Sequence, residues 1–338
     1  MIVVRPVEKQ DHKEILALAK KAGIGMTSLP PDKDVLEAKI AHSVASIKKR
    51  KSAKGHEAFL FVLEDVKKKK LVGTCGIAAH VGMRHPFYSY KLSTIVQANS
   101  TLGVYSMQRV LHMVNDYTGA SEIGSLFLLP SHRRGGNGKF LSRCRYLFMA
   151  EFPDVFSDIV IAEMRGVQDD DGHSPFYKNL AQHFFKMDFK KADFVNATQG
   201  GQFISDLMPK YPIYVNLLDP RAQAAIGRPF HASRPALQLL EREGFTNEGY
   251  VDVFDAGPTV QAERTKIRTV RKSRRVPLVR IAGEVPEKPT YMISNSKYEG
   301  FRATLSGLQE IQTGVVLSKE TAKLLNVKAG DMVRYIEA

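Results

Sequence analysis

Cysteine is scarce: only Cys75 and Cys144 occur in the 338 residues. They stand far apart in the chain and neither has metal-ligand spacing, which excludes a disulfide scaffold and a cysteine-based zinc site. Free cysteine is usually buried, so both are expected as small core residues in a reducing, cytoplasmic setting. No apolar run is long enough to span a bilayer as a helix. The N-terminal segment carries Arg5, Glu8, Asp11 and Glu14, a pattern unlike a signal peptide. Zinc-finger spacing, RNA-binding aromatic boxes and recognition-helix patterns are missing. Apart from a lysine tract there is no repeat and no low-complexity segment. What is present is the composition of a globular chain, 43% apolar and 25% charged, long enough for one large domain or two. The formal net charge of +14 gathers in residues 48–54, 67–70 and 266–280. Solvated surface or an anionic small substrate accounts for it. A basic nucleic-acid-binding protein is the alternative.

The chain is organised around residues 125–141, Ser-Leu-Phe-Leu-Leu-Pro-Ser-His-Arg-Arg-Gly-Gly-Asn-Gly-Lys-Phe-Leu. Leu126 to Leu129 read as a buried strand that Pro130 ends, since proline cannot donate to a sheet ladder. Apolar residues return at helical spacing in Phe140, Leu141, Tyr146, Leu147 and Phe148. Between strand and helix lies a basic glycine turn. Glycines allow positive φ and close approach of a ligand, and a helix N-terminus presents N–H groups with the positive end of its dipole. Backbone N–H groups from Arg134 to Gly138 are therefore expected to hold a phosphate, with Arg133 and Arg134 adding charge. A Walker loop is excluded, because Arg133 and Phe140 stand where it needs Gly and Ser/Thr. A dinucleotide fingerprint starting at Gly136 fails at Leu141. What remains is Arg133-x-x-Gly136-x-Gly138-x-x-Leu141, with Asn137 inside it.

Around this loop the spacing predicts a strand at residues 2–4, then two helices, the second opened by Asp32. A hairpin over 58–64 and 71–79 follows, then strands over 88–97 and 102–111. After the loop come a strand over 158–163, a helix from Ser174 to Phe185, a strand over 188–194 and a helix over 233–243 capped by Ser233 and stopped by Gly244. Strand-like pieces at Tyr291, Phe301, Val315 and 333–336, with a short helix capped near Ser318, form a small tail.

The loop pattern resembles the pyrophosphate loop of the GNAT superfamily of acyl-CoA N-acyltransferases. Further blocks narrow the resemblance: Val4-Arg5-Pro6-Val7, Thr27-Ser28-Leu29-Pro30, Phe61-Val62-Leu63-Glu64-Asp65, Glu163-Met164-Arg165-Gly166, Ser174-Pro175-Phe176, Phe184-Phe185-x-Met187-Asp188-Phe189 and Leu207-Met208-Pro209-Lys210-x-Pro212-Ile213-Tyr214. Over residues 1–275, in the same order, these are similar to the arginine N-succinyltransferase family. The resemblance implies an α+β fold with a GNAT-like mixed, mainly antiparallel sheet flanked by helices. It would occupy residues 1–265, with an extended region at 197–260. A basic linker and a small β-rich C-terminal module would fill 266–338.

The implied reaction moves a succinyl group from succinyl-CoA to the α-amine of L-arginine, the first step of arginine catabolism by the succinyltransferase route. Succinyl-CoA is then a co-substrate, and neither a tightly bound cofactor nor a metal is expected. Other readings within the superfamily are an ornithine acceptor or an acetyl-CoA donor. Three tasks follow: hold the CoA phosphates, polarise the thioester and deprotonate the ammonium. An α-amine has a pKa of roughly 8, so one moderate base suffices. The family's catalytic histidine, described as a proton donor, maps onto His231, with one extra residue between Gly227 and the histidine. A histidine can serve both as base to the amine and as acid to the thiolate. The family's acyl-CoA contact maps onto Leu126, and Leu126 or Leu128 supplies a backbone N–H at the thioester in such folds. Glu163, or one of Asp169 to Asp171, is a candidate for the guanidinium, and Arg84 or Arg165 for the succinyl carboxylate. His80, His85, His132 and His173 compete with His231. The loop over 23–31 reads as a substrate lid. The family implies a homodimer or an assembly with a related subunit, and no membrane partner.

Overall fold

The computed structural model describes residues 1–22, 26, 28–49, 55–169 and 171–338. Much of the expected lid (23–25 and 27), residues 50–54 of the basic run and Asp170 lie outside the described residues. Two compact units emerge. The first comprises Met1–Ala79, Ser121–Asp158 and Glu263–Ala338; the second comprises His80–Ala120 and Ile159–Ala262.

In the first unit the strands lie in the order Gln309–Ile311, Gly314–Ser318, Arg274–Ala282, Met332–Glu337, Tyr291–Asn295, Ala303–Ser306, Ile2–Pro6, Ala58–Asp65, Lys70–Ala78 and Ser121–Leu128. Arg274–Ala282 and Gly314–Ser318 pair in parallel. The other neighbours pair antiparallel, so the sheet is mixed and mainly antiparallel. Strand Ala58–Asp65 reads as a continuous apolar run because both of its faces are covered. Leu60 and Val62 pack in a core with Ile15 and Leu18 of helix His12–Ala22 and Leu36 and Ile40 of helix Lys33–Lys48. Phe59 and Phe61, facing the other way by the two-residue period, meet Phe148 at 5.2 and 5.1 Å between ring centroids.

Phe148 belongs to helix Asn137–Glu151, the helix that follows the glycine turn. This helix is buried from Phe140 through Met149, so it is enclosed on all sides rather than half-exposed. Its second cover comes from the C-terminal strands. Phe301 lies 5.0 Å from Phe148, and Glu151 takes Arg275 at 2.8 Å and Arg334 at 2.9 Å. The stretch expected as a basic linker is therefore ordered. It forms helix Arg268–Lys272 and strand Arg274–Ala282. Of its cations, Lys266, Arg274 and Arg275 are tied to Glu263, Glu310 and Glu151, and the preceding Arg264 to Asp158; Arg268, Arg271, Lys272 and Arg280 are exposed. Cys75 and Cys144 are buried core residues as expected, and the fold brings their sulfurs to 3.7 Å as free thiols.

The second unit carries strands in the order Ile159–Glu163, Pro258–Glu263, Thr246–Asp252, Ser89–Asn99, Val104–Val114 and Ile213–Tyr214. Its core gathers Tyr90, Leu111, Phe176, Phe185, Phe189 and Phe254. Residues 188–194, expected as a strand, are instead the start of helix Phe189–Gln199. Asp188 caps it by accepting the Lys191 N–H at 2.8 Å, and Phe189 and Ala192 turn inward together at helical spacing. The single helix expected over 174–185 is two, Pro175–Asn179 and Ala181–Phe185. Ser233 stands at the N-cap position of the next helix, Arg234–Glu243, but its side chain makes no cap hydrogen bond; it also closes the 3-10 turn His231–Ser233, and Pro235 sits in the helix's first turn. Among the described residues, no helix is long and apolar enough to cross a membrane.

Candidate active site

The glycine turn has the geometry that its sequence implies. Strand Ser121–Leu128 leads through the 3-10 turn Pro130–His132 to Gly135 (φ 58°) and Gly136 (φ 79°), and helix Asn137–Glu151 starts there. A Cβ on either glycine would meet nothing within 4 Å, so their need for glycine is conformational and not steric. The expectation that every N–H from Arg134 to Gly138 faces a ligand needs correction. Arg134 donates to His132 O at 2.8 Å and Asn137 to Arg134 O at 3.2 Å, because the turn closes on itself. No described acceptor takes the N–H groups of Gly135, Gly136 and Gly138, which stand at the positive end of a fifteen-residue helix. The Asn137 amide donates to His132 O at 3.0 Å and braces the turn. Arg133 Nε donates to Leu128 O at 3.0 Å, so this guanidinium is anchored at the strand end. Arg134 is exposed and makes no side-chain hydrogen bond among the described residues.

The strand before the turn is irregular at the expected place. Thr74 pairs with Phe127 and Gly76 with Gly124, so Ser125 and Leu126 together oppose the single residue Cys75. This is a β-bulge, a device that re-aims groups near sites. Ser125 sits at φ 51°, a conformation that non-glycine residues seldom adopt. It is held there by Ser28, whose hydroxyl accepts the Ser125 N–H and whose carbonyl accepts the Ser125 hydroxyl, both at 3.0 Å. Thr74 Oγ1 donates to the Ser125 carbonyl at 2.8 Å. Leu126 is half-buried on the bulge and Leu128 is core.

Two charged residues that the sequence reading passed over lie beside this bulge. Lys39, on helix Lys33–Lys48, donates to the Ser28 carbonyl and to Ser125 Oγ at 3.2 Å. Glu122, on the bulged strand, shares a small cavity with it. Burial lowers the Lys39 ammonium from its ordinary value and raises the Glu122 carboxyl, each opposed by the other's charge. Lys39 sits three residues from buried Leu36 and one from buried Ile40, and that lysine at the edge of an apolar stripe was the available signal.

In the second unit, His231 opens the turn His231–Ser233, exposed and without a side-chain hydrogen bond among the described residues, its ring 4.2 Å from that of Phe230. The segment carrying it is firmly mounted. Phe230 N donates to Arg165 O at 2.7 Å, Gly166 bridges Pro229, and Gly227 N donates to Ala256 O at 2.9 Å. A Cβ on Gly166 would lie 2.4 Å from Asp255 O, and one on Gly257 1.9 Å from Met164 O. The Arg165 backbone thus supports the histidine's loop. Its side chain does something other than expected: it holds Asp193 at 2.9 Å and Asp255 at 3.2 Å and stacks over Phe189 at 5.3 Å. Burial would lower its pKa, but Asp193, Asp255 and Asp252 carry it up instead. With two carboxylates already in hand, the Arg165 cation is not open to a substrate carboxylate. Asp252 is pushed up to about 7 by burial and by Asp255. Glu163 ends its strand half-buried. Among the competing histidines, His132 lies 3.5 Å from Asp65 and His173 bonds Asp169 on an exposed turn.

Comparisons with known proteins converge. A family model described as arginine N-succinyltransferase beta subunit matches residues 2–269, and one for that subunit's C-terminal domain matches 274–337. An arginine N-succinyltransferase of Yersinia enterocolitica is 42% identical over 337 residues, covering 99% of this chain and 97% of that one. One of Escherichia coli is 40% identical over 339 residues with the same coverage. The solved structure of arginine/ornithine succinyltransferase subunit AI from Pseudomonas aeruginosa superposes with a TM-score of 0.90 at 35% identity, covering 100% of this chain and 98% of that one.

Proposed function

The chain belongs to the arginine N-succinyltransferase family, and on that premise we propose that it transfers the succinyl group of succinyl-CoA to the α-amine of L-arginine. The products are N2-succinyl-L-arginine and CoA. The observation that carries the reading is the relationship along the whole chain at 42% identity. The open N–H groups of Gly135, Gly136 and Gly138 are suited to the CoA pyrophosphate, with Arg134 adding charge and Arg133 and Asn137 fixing the turn. Leu126, on the bulge, offers main chain to the thioester carbonyl, and Leu128 packs beneath it. The amine nitrogen attacks the carbonyl carbon, the C–S bond breaks, and the proton shed by the amine ends on the CoA sulfur. His231 is our choice for that proton, as base and then acid; its lack of a competing hydrogen bond leaves both ring nitrogens available. Glu163 remains our candidate for the guanidinium. Arg165 is reassigned to holding the His231 loop.

We also place the enzyme in the cytoplasm, where its two buried thiols stay reduced, and in an assembly of like or related subunits. The hairpin of Ser89–Asn99 and Val104–Val114 supports assembly, because Val96, Leu102, Val104, Tyr105 and Met107 are each at least half exposed on it.

Thiol release from succinyl-CoA with L-arginine, with acetyl-CoA and L-ornithine as comparators, tests donor and acceptor together. Preference for acetyl-CoA would overturn the succinyl assignment, and preference for ornithine the arginine one. His231→Ala should lower turnover by roughly 10²–10⁴-fold while CoA binding survives. Full activity in that variant would remove His231 from the proton path.

A further inference from the structure

Within the first unit, helix Lys33–Lys48 and strand Ser121–Leu128 contribute to a cavity of about 90 Å³. Its wall carries one cation, Lys39, and one anion, Glu122. The lysine has a fixed position, since it donates to the Ser28 carbonyl and to Ser125 Oγ, and one of its three N–H donors is left over. Glu122 is different. No described residue donates a hydrogen bond to its carboxylate, and no ion pair closes on it. Bracing the bulge at Ser125 explains why a lysine is present. It does not explain a half-buried carboxylate on the cavity wall with no hydrogen-bond donor among the described residues, an arrangement typical of binding and catalytic groups.

The cavity is well short of the roughly 300–1,000 Å³ of a pocket that encloses a whole ligand, so it suits one end of a substrate. Opposite charges on one small wall match a group carrying both signs on neighbouring atoms. Ser125, also on the wall, immediately precedes Leu126 on the bulge. We propose that Lys39 and Glu122 form the subsite for the α-amino-acid head group of the acceptor, Lys39 taking the α-carboxylate and Glu122 the α-ammonium whose nitrogen is acylated. This rests on the acyltransferase reading above and deepens it. It makes the α-carboxylate a requirement: arginine lacking it leaves the Lys39 ammonium desolvated and unpaired, which weakens binding.

The test is steady-state kinetics of the full-length wild type, Lys39→Met and Glu122→Gln, with L-arginine and with decarboxylated arginine. Melting curves and succinyl-CoA titration establish that each variant is folded. Both variants should raise KM for L-arginine about tenfold or more, the loss of one hydrogen bond to a charged group, and leave KM for succinyl-CoA within about twofold. Lys39→Met should also narrow the preference for L-arginine over its decarboxylated form. An unchanged arginine KM in folded variants overturns the proposal. A rise confined to succinyl-CoA overturns it too and gives the cavity to the donor's free carboxylate. Should the wild type release no thiol with arginine, the activity reading is what fails. Calorimetric titration of arginine then decides the subsite: binding lost in both variants supports it, and equal binding in all three refutes it.

Discussion

Two sets of enclosed charges in this molecule behave in opposite ways. In the second unit, Arg165 has two carboxylates and an aromatic face within reach, and its donors are engaged. In the first, Glu122 faces a cavity with only the field of Lys39 to offset it. Both look alike in sequence, as lone charged residues beside apolar ones. The first is a clamp: it draws residues 193 and 255 together and holds the backbone that supports Phe230 and His231. The second is an open valence. Burial of a charge is therefore a weak guide to function, and what separates a structural charge from a binding one is whether the fold has already supplied its counter-charge.

The largest effect that would sharpen this contrast is expected at the clamp. Arg165→Met leaves Asp193 and Asp255 facing each other without a cation and should cost about 3–5 kcal/mol, the range for breaking a buried pair. Thermal melting reads it, and Glu122→Gln in the same assay should melt close to wild type. Equal losses in the two variants would erase the distinction. A smaller effect concerns Asp252, beside the clamp. Its folded pKa of about 7 lies above the ordinary aspartate value of roughly 4, so the folded chain holds a proton there that the unfolded chain has lost. Stability from this group is fully present below about pH 4 and fades as pH rises through about 7. The slope is at most about 1.4 kcal/mol per pH unit. Asp252→Asn should flatten that decline in a plot of melting temperature against pH; an unaltered slope would show that Asp252 is ionised throughout.

The smallest stability effect, and the most selective, lies in the glycine turn, where some N–H groups are engaged and others open. Gly136→Ala forces a side chain into the left-handed region and should cost about 1–2 kcal/mol. Gly138→Ala has negative φ available in a helix, and its Cβ would come no closer than 3.9 Å to Leu128. It should melt within about 1 kcal/mol of wild type and yet weaken succinyl-CoA binding, because the methyl group intrudes where the phosphate must approach. Unimpaired CoA titration in Gly138→Ala would move the phosphate elsewhere.

The turn was legible in the sequence because everything that shapes it is local. Pro130 stops the strand, two glycines take positive φ and an apolar run restarts at helical spacing. The helix caps at Asp32 and Ser318 were legible for the same reason. Residues 188–194 were not. Their apolar residues fit a strand or a helix equally, and the choice fell to the Asp188 cap and to a core that takes Phe189 and Ala192 on one side. The basic run at 266–280 read as a linker because its counter-charges are remote in sequence: Arg275 reaches Glu151 across 124 residues.

Sequence by itself determined the family, the strand–turn–helix of the phosphate loop and the identity of the residues offered for catalysis, since spacing and backbone preference act over a few residues. The tertiary structure decided which of those residues are open. Arg165 is closed off by Asp193 and Asp255, 28 and 90 residues away, and Arg134 and Asn137 lose their N–H groups to the turn's own closure. Glu122 is left beside Lys39 with no hydrogen-bond donor among the described residues. Satisfaction of a charge or a hydrogen bond depends on distance in space, and residues far apart in the chain meet only when it folds.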